Sequence, residues 1–378
     1  MSSQGFNVVT AKKKPENIKL YLEAIDASFY IEGTVRRSGD KIRVNINLKD
    51  SKNLSNIWSK TIDKNILQND VFEIQDEIVA GILEELVGNG TILAKNFIKI
   101  AGNISSDNLT SYACINFYRI KFFQSLMPDD FQESIKCLKE TVKNDENYDL
   151  AWSSLADALT FGYSFGYIKD KNVLYESLKY AEKALRINPS NAGAYASIAL
   201  VHFFLRDWDS MIEAGESAFK LDPFNAQLLG SVGYLMYWGG ECTEEQMKDQ
   251  EGSYRTGNCI WQKGWDMLLK SNDLDKANSY AGDNNALATG YNLNNQFDKA
   301  IQVLRGHPIP GFFWYDIHSG IANYGAGNSK VAEENFNSVK KFIGSSKLED
   351  VYKHFSFWNV HKTYWPLAEK ILLEYGFN

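Results

Sequence analysis

No stretch of the 378-residue chain approaches 18 consecutive apolar residues, so the sequence offers no membrane-spanning helix. Its start, Met1-Ser-Ser-Gln, lacks the apolar segment of a secretory signal. Cysteine is scarce: there are four, Cys114, Cys137, Cys242 and Cys259. No two are spaced CxxC and no histidine stands at ligand spacing from a pair, which argues against zinc. An even count permits disulfides, but four in so long a chain are no disulfide framework. We read them as thiols of a reducing compartment, and the chain as cytoplasmic. Positive charge is not in excess. Forty Lys+Arg face 47 Asp+Glu, a net of −7, which argues against a general nucleic-acid binder.

Catalytic signatures are missing too. There is no GxxxxGK[ST], no GxGxxG and no HExxH, hence no phosphate loop, dinucleotide fingerprint or zinc-protease helix. The histidines are His202, His307, His318, His354 and His361, none beside a Ser or Cys nucleophile motif. His354 and His361, seven apart, could share a helix face, but without a carboxylate they are weak grounds for a metal. Carboxylate pairs such as Glu244-Glu245 and Glu333-Glu334 read as solvated helix faces. No convergent constellation emerges, so we expect no catalytic residues, no metal and no cofactor.

What is present is ordinary in bulk, with 44% hydrophobic and 23% charged residues. Aromatics reach 13%, which points to large packed or recognition surfaces. Charge is uneven. Residues 1–100 carry 14 Lys+Arg against 13 Asp+Glu, and residues 101–378 carry 26 against 34. Two parts of different character are expected.

In the first part, Phe6 to Thr10 reads as a strand, and Pro15 opens a helix through Ile18, Tyr21, Leu22 and Ile25. Two alternating runs follow: Phe29, Ile31, Gly33 and Val35, then Ile42, Val44, Ile46 and Leu48. Between them Arg37-Ser38-Gly39-Asp40 forms a turn in which Gly39 takes positive φ, giving a hairpin. A third strand spans Ser55 to Ile62. Asp70-x-x-Glu73 starts a helix carrying Val71, Ile74, Ile78, Ile82 and Leu86 on one face. Arg36, Arg37, Lys41 and Arg43 invite a phosphate-binding reading. We favour a solvated hairpin, with Glu32, Asp40 and Asp50 near enough to neutralise them.

Gly33-Thr34-Val35-Arg36-Arg37, a Trp-bearing strand at Trp58 and Phe72-x-x-Gln75-Asp76-Glu77-Ile78 follow in this order. Over residues 6–88 the chain resembles the TolB amino-terminal-like domain that precedes repeat arrays in bacterial class III nucleotidyl cyclases and winged-helix regulators. That resemblance implies an α+β domain, assigned to residues 1–102. Family members begin with a further strand and helix, so the domain is expected to be shortened or the chain to be part of a longer protein.

The second part repeats with a 34-residue period. Trp152, Leu155-Ala156 and Ala184-Leu185-x-Ile187-x-Pro189 align with Tyr195, Ile198-Ala199 and Ala218-Phe219-x-Leu221-x-Pro223. This pattern resembles the tetratricopeptide (TPR) repeat of paired helices. Ala192–Asn225 is the cleanest copy, with Trp208 at its inter-helix turn and His202 and Leu221 at core positions. Asp149–Asn191 carries an extra loop at Gly162 to Asp170. Weaker copies span Leu109–Tyr148, Ala281–Arg305 and Phe313–Phe342. One copy is interrupted: Ala226 to Tyr237 makes a first helix, then residues 241–259 read as an insertion before periodicity resumes at Ile260. The array is assigned to 103–348, as a right-handed superhelix with almost no strand, and 349–378 to helices capping its end.

The resemblance implies a non-catalytic interaction module. Repeat positions 2, 5, 9 and 12 would line a concave groove for a peptide or partner protein, and supply Phe117, Asp157, Leu200, Phe203, Tyr234, Tyr237, Asn292 and Tyr324. Of these, Phe203, Tyr234 and Tyr237 are the expected aromatic anchors. The Lys/Asn set of the chaperone-binding carboxylate clamp is absent. Alternatives are a regulatory region of a nucleotide cyclase whose catalytic domain lies outside this chain, and a self-associating scaffold.

Overall fold

The computed structural model describes residues 15–25, 27, 29–51, 53–65, 79, 82, 111–122, 126–239, 260–274, 281–360 and 364–378. The expected strand at Phe6–Thr10, most of the helix after Asp70, the 241–259 insertion, His361, Cys242 and Cys259 lie outside them. The chain forms two compact units, residues 1–96 and 97–378.

In the first unit, helix α1 (Ile18–Ala24) starts where the Asn17 side chain accepts the Leu20 N–H at 3.2 Å. Strands β1 (Phe29–Ser38), β2 (Lys41–Asp50) and β3 (Asn56–Asn65) form one antiparallel sheet in that order. Gly39, at φ +59°, closes the first hairpin with Asp40. Register pairs Ile31 with Leu48, Gly33 with Ile46 and Val35 with Val44, so both apolar runs share one face. Val44, Ile46 and Leu48 are buried there, whereas Ile31 and Val35 are exposed. Arg43 makes a two-pronged contact with Asp63 on β3, both bonds 2.7 Å, and Lys49 pairs with Glu32. Asp63, not the nearer-in-sequence acids, neutralises the arginine.

Among the described residues, every regular element of the second unit is helical. Helix α2 (Ser111–Phe117) runs into a π-helical turn at Tyr118–Phe122, and α3 (Pro128–Asn144) packs on it. Pairs α4 (Asp149–Ser164) and α5 (Val173–Ile187), then α6 (Ala192–Leu205) and α7 (Trp208–Leu221), carry the clearest repeats. Helix α4 continues through Gly162 to Ser164, so the extra loop is shorter than its sequence suggests. The interrupted copy pairs α8 (Ala226–Gly239) with α9 (Ile260–Leu274). Then come α10 (Ala281–Leu293) with α11 (Phe297–Gly306), α12 (Phe313–Gly325) with α13 (Ser329–Ile343), and finally α14 (Leu348–Phe357) and α15 (Tyr364–Glu374).

The eighth residue of each first helix explains the pairing. It is Ala156, Ala199, Gly233, Ala288 and Gly320 in successive copies. A small residue lets the second helix approach closely. A Cβ on Gly320 would lie 2.6 Å from the Phe336 ring, and one on Gly233 3.1 Å from the Gly264 carbonyl oxygen. Thus α9 takes the place of the second helix despite the interruption. Polar links join neighbouring copies: Asn191 donates to Asp149 at 2.9 Å and Ser197 to the Ser153 carbonyl at 3.2 Å.

Two expectations are corrected here. Cys114 and Cys137 are joined as a disulfide, not free thiols, because packing of α2 on α3 brings their Cα atoms to 5.6 Å. The inference of a reducing compartment loses that basis. Leu221 is not core: it is the last residue of α7 and 40% exposed.

Candidate docking surface on the helical repeats

The proposed groove residues fare unequally. Leu200, Phe203, Tyr234, Tyr237 and Asn292 are buried, with Phe203 and Tyr237 at 0% exposure. The expectation of exposed aromatic anchors is therefore corrected for these positions. Phe203 packs edge-on against Phe204 and Trp208. Tyr237 stacks on Trp261, centroids 5.0 Å apart, and touches Trp265. Both tryptophans belong to α9, so the displaced helix covers the tyrosine. Burial pushes the Tyr237 hydroxyl pKa far up, so it stays a neutral phenol. Phe117, Asp157 and Tyr324 keep partial exposure. The Tyr324 hydroxyl donates to the Glu374 carboxylate at 2.9 Å. Asp157 accepts from the Tyr118 hydroxyl at 2.7 Å, and desolvation raises its pKa to about 6.

A polar knot ties α10, α12 and α15 together. Asn292 Nδ2 donates to the Tyr364 hydroxyl at 3.0 Å and to the His318 carbonyl at 3.1 Å. That hydroxyl is left to donate its own proton to His318 Nδ1, 2.9 Å away. Burial lowers the His318 pKa to about 3, so the ring is neutral. With Asn292, His318 and Tyr364 all at 0% exposure, no substrate reaches these groups, and their work is to hold three helices. His202, expected in the core, is half-buried with Nδ1 3.1 Å from Asp207. Among the described residues, no group of three or more His, Cys, Asp or Glu could hold a metal ion. None of their helices is long and apolar enough to cross a membrane.

A second aromatic column lies one position further along the repeat, and it too is buried. The thirteenth residue of three successive first helices is Phe161, Phe204 and Trp238. The same period that marked Phe203 and Tyr237 contains this signal, shifted by one residue. At the carboxyl ends of α4, α6 and α8, these helices meet a corner at the end of α14. Phe357 contacts Tyr163 and Phe204, with centroids 5.8 and 5.4 Å away. Trp358 contacts Phe165, Phe204 and Trp238 at 6.0, 5.2 and 6.2 Å.

Hydrogen bonds fix the corner. The last carbonyls of a helix have no intrahelical donor. Arg206 Nη2 supplies one to Ser356 and Phe357, at 2.8 and 2.7 Å. Arg206 itself ends α6 in the left-handed conformation, φ +64°. Asn359 Nδ2 donates to the Trp238 carbonyl, so each side closes the other's helix end. The final helices do more than cap α12 and α13: they return to the ends of the earlier repeats.

No family model matches the chain. Curated relatives are distant. "Hsp70-Hsp90 organizing protein 3" of Arabidopsis thaliana is 26% identical over 126 residues, covering 32% of this chain and 21% of the relative. "Putative adenylate cyclase 3" of Rhizobium meliloti (strain 1021) is 28% identical over 75 residues, 20% of this chain and 12% of the relative. Among solved structures, "MamA RS-1 ArsTM double mutant" covers 66% of this chain and 93% of its own, at 17% identity and a TM-score of 0.26. The chain thus spans about a fifth or less of the curated relatives it matches. Similarity to the organizing proteins, which are of the TPR type, agrees with the 34-residue period and supports TPR repeats in the second unit.

Proposed function

We propose that this chain is a non-catalytic interaction module whose repeat array docks a peptide or partner protein. The observation that carries the reading is the corner at Phe357 and Trp358. The carboxyl ends of three repeats hold a chain segment there by aromatic packing and by backbone hydrogen bonds from Arg206. Phe117, Asp157 and Tyr324 are the sequence-assigned groove residues with surface left to meet a partner. A displayed peptide library panned on the full chain tests this. The expected result is an enriched motif whose binding falls on Phe117→Ala or Tyr324→Ala. Absence of any enriched motif refutes it.

A second reading is favoured by the Rhizobium relative and by the TolB-like motif order of residues 6–88. In it, the module is the regulatory region of a longer nucleotide cyclase. Genomic sequence flanking the coding region decides the point: an in-frame cyclase domain supports it, and none refutes it.

A further inference from the structure

Strand β1 is an open edge. It pairs with β2 alone, and among the described residues no strand lies on its other side. Its ladder with β2 runs from Phe29 to Ser38 without a register shift, and it contains no proline. A bulge or a proline would blunt such an edge, and β1 has neither. The outward main-chain groups follow from the hairpin. Gly39-Asp40 is a two-residue turn, so its closing pair, Ser38 and Lys41, is hydrogen-bonded. Alternation then turns the N–H and C=O groups of Glu32, Thr34 and Arg36 toward β2, and those of Ile31, Gly33 and Val35 outward. The Asp50 N–H obeys the same alternation along β2, donating to Ser55 on the β3 side at 3.0 Å. Gly33 and Thr34 are exposed, and Ile31 and Val35, on the apolar face, are 41% and 69% exposed. A regular, exposed, apolar edge is a template for another strand.

We infer that β1 is a self-association edge, which joins two copies of this chain antiparallel about a two-fold axis at Gly33. The strand is complementary to itself in that register. With Gly33 opposite Gly33 of the second copy, Ile31 stands opposite Val35 of the second copy, and the reverse holds by symmetry. Leu48 and Ile31 then continue into Val35 and Val44 of the second copy, one apolar row across the joined sheets. On the other face Tyr30 meets Arg36 of the second copy. Glu32, which pairs with Lys49 in its own copy, lies on the diagonal from that guanidinium. A cation thus meets a ring and a carboxylate, twice by symmetry. Sliding one copy by two residues loses the match, since Ile31 then faces Arg37 or Gly33. The three central pairs exchange about six main-chain hydrogen bonds. So small an interface belongs to the weak, reversible class. The inference is independent of the docking role proposed for the repeats.

Sedimentation equilibrium of the full chain, at concentrations up to about 200 µM, tests this. The expected result is a mass that rises with concentration from 42.9 kDa toward twice that value. Val35→Lys and Ile31→Glu should each weaken association at least tenfold, because each sets a charge against an apolar side chain. An equimolar mixture of the two variants should recover it, since in this register the introduced lysine faces the introduced glutamate. Leu20→Lys, at an exposed position of α1, is the control and should leave association unchanged. A monomer at every concentration overturns the inference, as does a dimer that neither variant weakens. Weakening by both without recovery in the mixture removes the two-fold at Gly33 and overturns it equally. Should Ile31→Glu fail to fold, Val35→Pro replaces the mixture. It removes one outward N–H and leaves the ladder with β2 intact. Tenfold weaker association is expected, and unchanged association overturns the inference.

Discussion

Replacing Gly264 by alanine adds one methyl group where α9 meets the backbone of α8. Its Cβ would lie 2.5 Å from the Tyr237 backbone nitrogen, 2.7 Å from the Gly233 carbonyl oxygen and 2.9 Å from the Met236 carbonyl carbon. All three are backbone atoms inside α8, so no side chain can rotate away. Helix α9 must therefore retreat by roughly 1 Å to restore ordinary contact, a step of the overpacking kind that costs about 1–3 kcal/mol. The retreat also lifts Trp261 and Trp265, both essentially fully buried, from the Tyr237 ring. Alanine's better helix propensity returns about 0.5–1 kcal/mol. A net loss of about 0–2.5 kcal/mol remains, near 1 at the middle of the range. Gly193→Ala is the control, since its Cβ would meet only the Asn191 Oδ1 at 3.3 Å and the Ser153 hydroxyl at 3.9 Å. Urea denaturation followed by circular dichroism at the helical band reads both variants. The expected order is Gly264→Ala below wild type, with Gly193→Ala close to it. Equal midpoints for the two would refute the claim that this crossing is closed to a methyl group.

Other outcomes follow from burial and titration. Phe203→Ala should lower stability by about 3–5 kcal/mol, whereas Leu221→Ala should change it by under about 1 kcal/mol, as denaturant midpoints will show. His318, held near pKa 3 when folded against an ordinary 6.5, leaves the unfolded chain binding the extra proton. Its contribution is complete above pH 6.5 and is lost on acidification toward pH 3, at up to about 1.4 kcal/mol per pH unit. Asp157, raised from 3.8 to about 6, works in the opposite sense over that range. His318→Gln should therefore make the protein relatively more acid-tolerant and Asp157→Asn less so, and parallel pH profiles for all three proteins would refute both assignments. Reducing the Cys114–Cys137 disulfide reopens a loop of 23 residues' separation, worth about 3 kcal/mol in a chain-entropy estimate. Alkylation of both cysteines without reductant, read by mass spectrometry, would show that the bond is not formed.

The hairpin and the paired helices were legible because each is written in nearby residues. Alternation through Leu48, a glycine at the turn and a small residue at the eighth position of each first helix are local signals, each with one steric meaning. The interrupted copy was legible for the same reason: Trp261, Trp265 and Leu268 keep helical spacing after the insertion. The aromatic corner was not. Its rings, Phe204 and Trp238, directly follow Phe203 and Tyr237, and their packing depends on what covers them. That cover arrives from Phe357 and Trp358, about 150 residues away from Arg206. No period encodes a contact of that range, so the late tryptophans read only as a cap. The cysteine pair failed for a related reason, since a π-helical turn and a helix crossing decide its proximity. Leu221 occupies a repeat position that is core in the pattern, but here the helix ends on it and turns the side chain to solvent.

The return of α14 to the earlier repeats bears on how this protein is made. A repeat array ordinarily needs only its neighbours, so each copy can settle as it leaves the ribosome. Here Arg206 and the rings beside it wait for a segment 150 residues downstream. At ordinary synthesis speeds that is a delay of roughly 8–30 s. Until then Phe204 lacks the cover of Phe357 and Trp358, and Trp238 that of Trp358. The burial of those rings is thus completed only near the end of synthesis, long after their own helices can form.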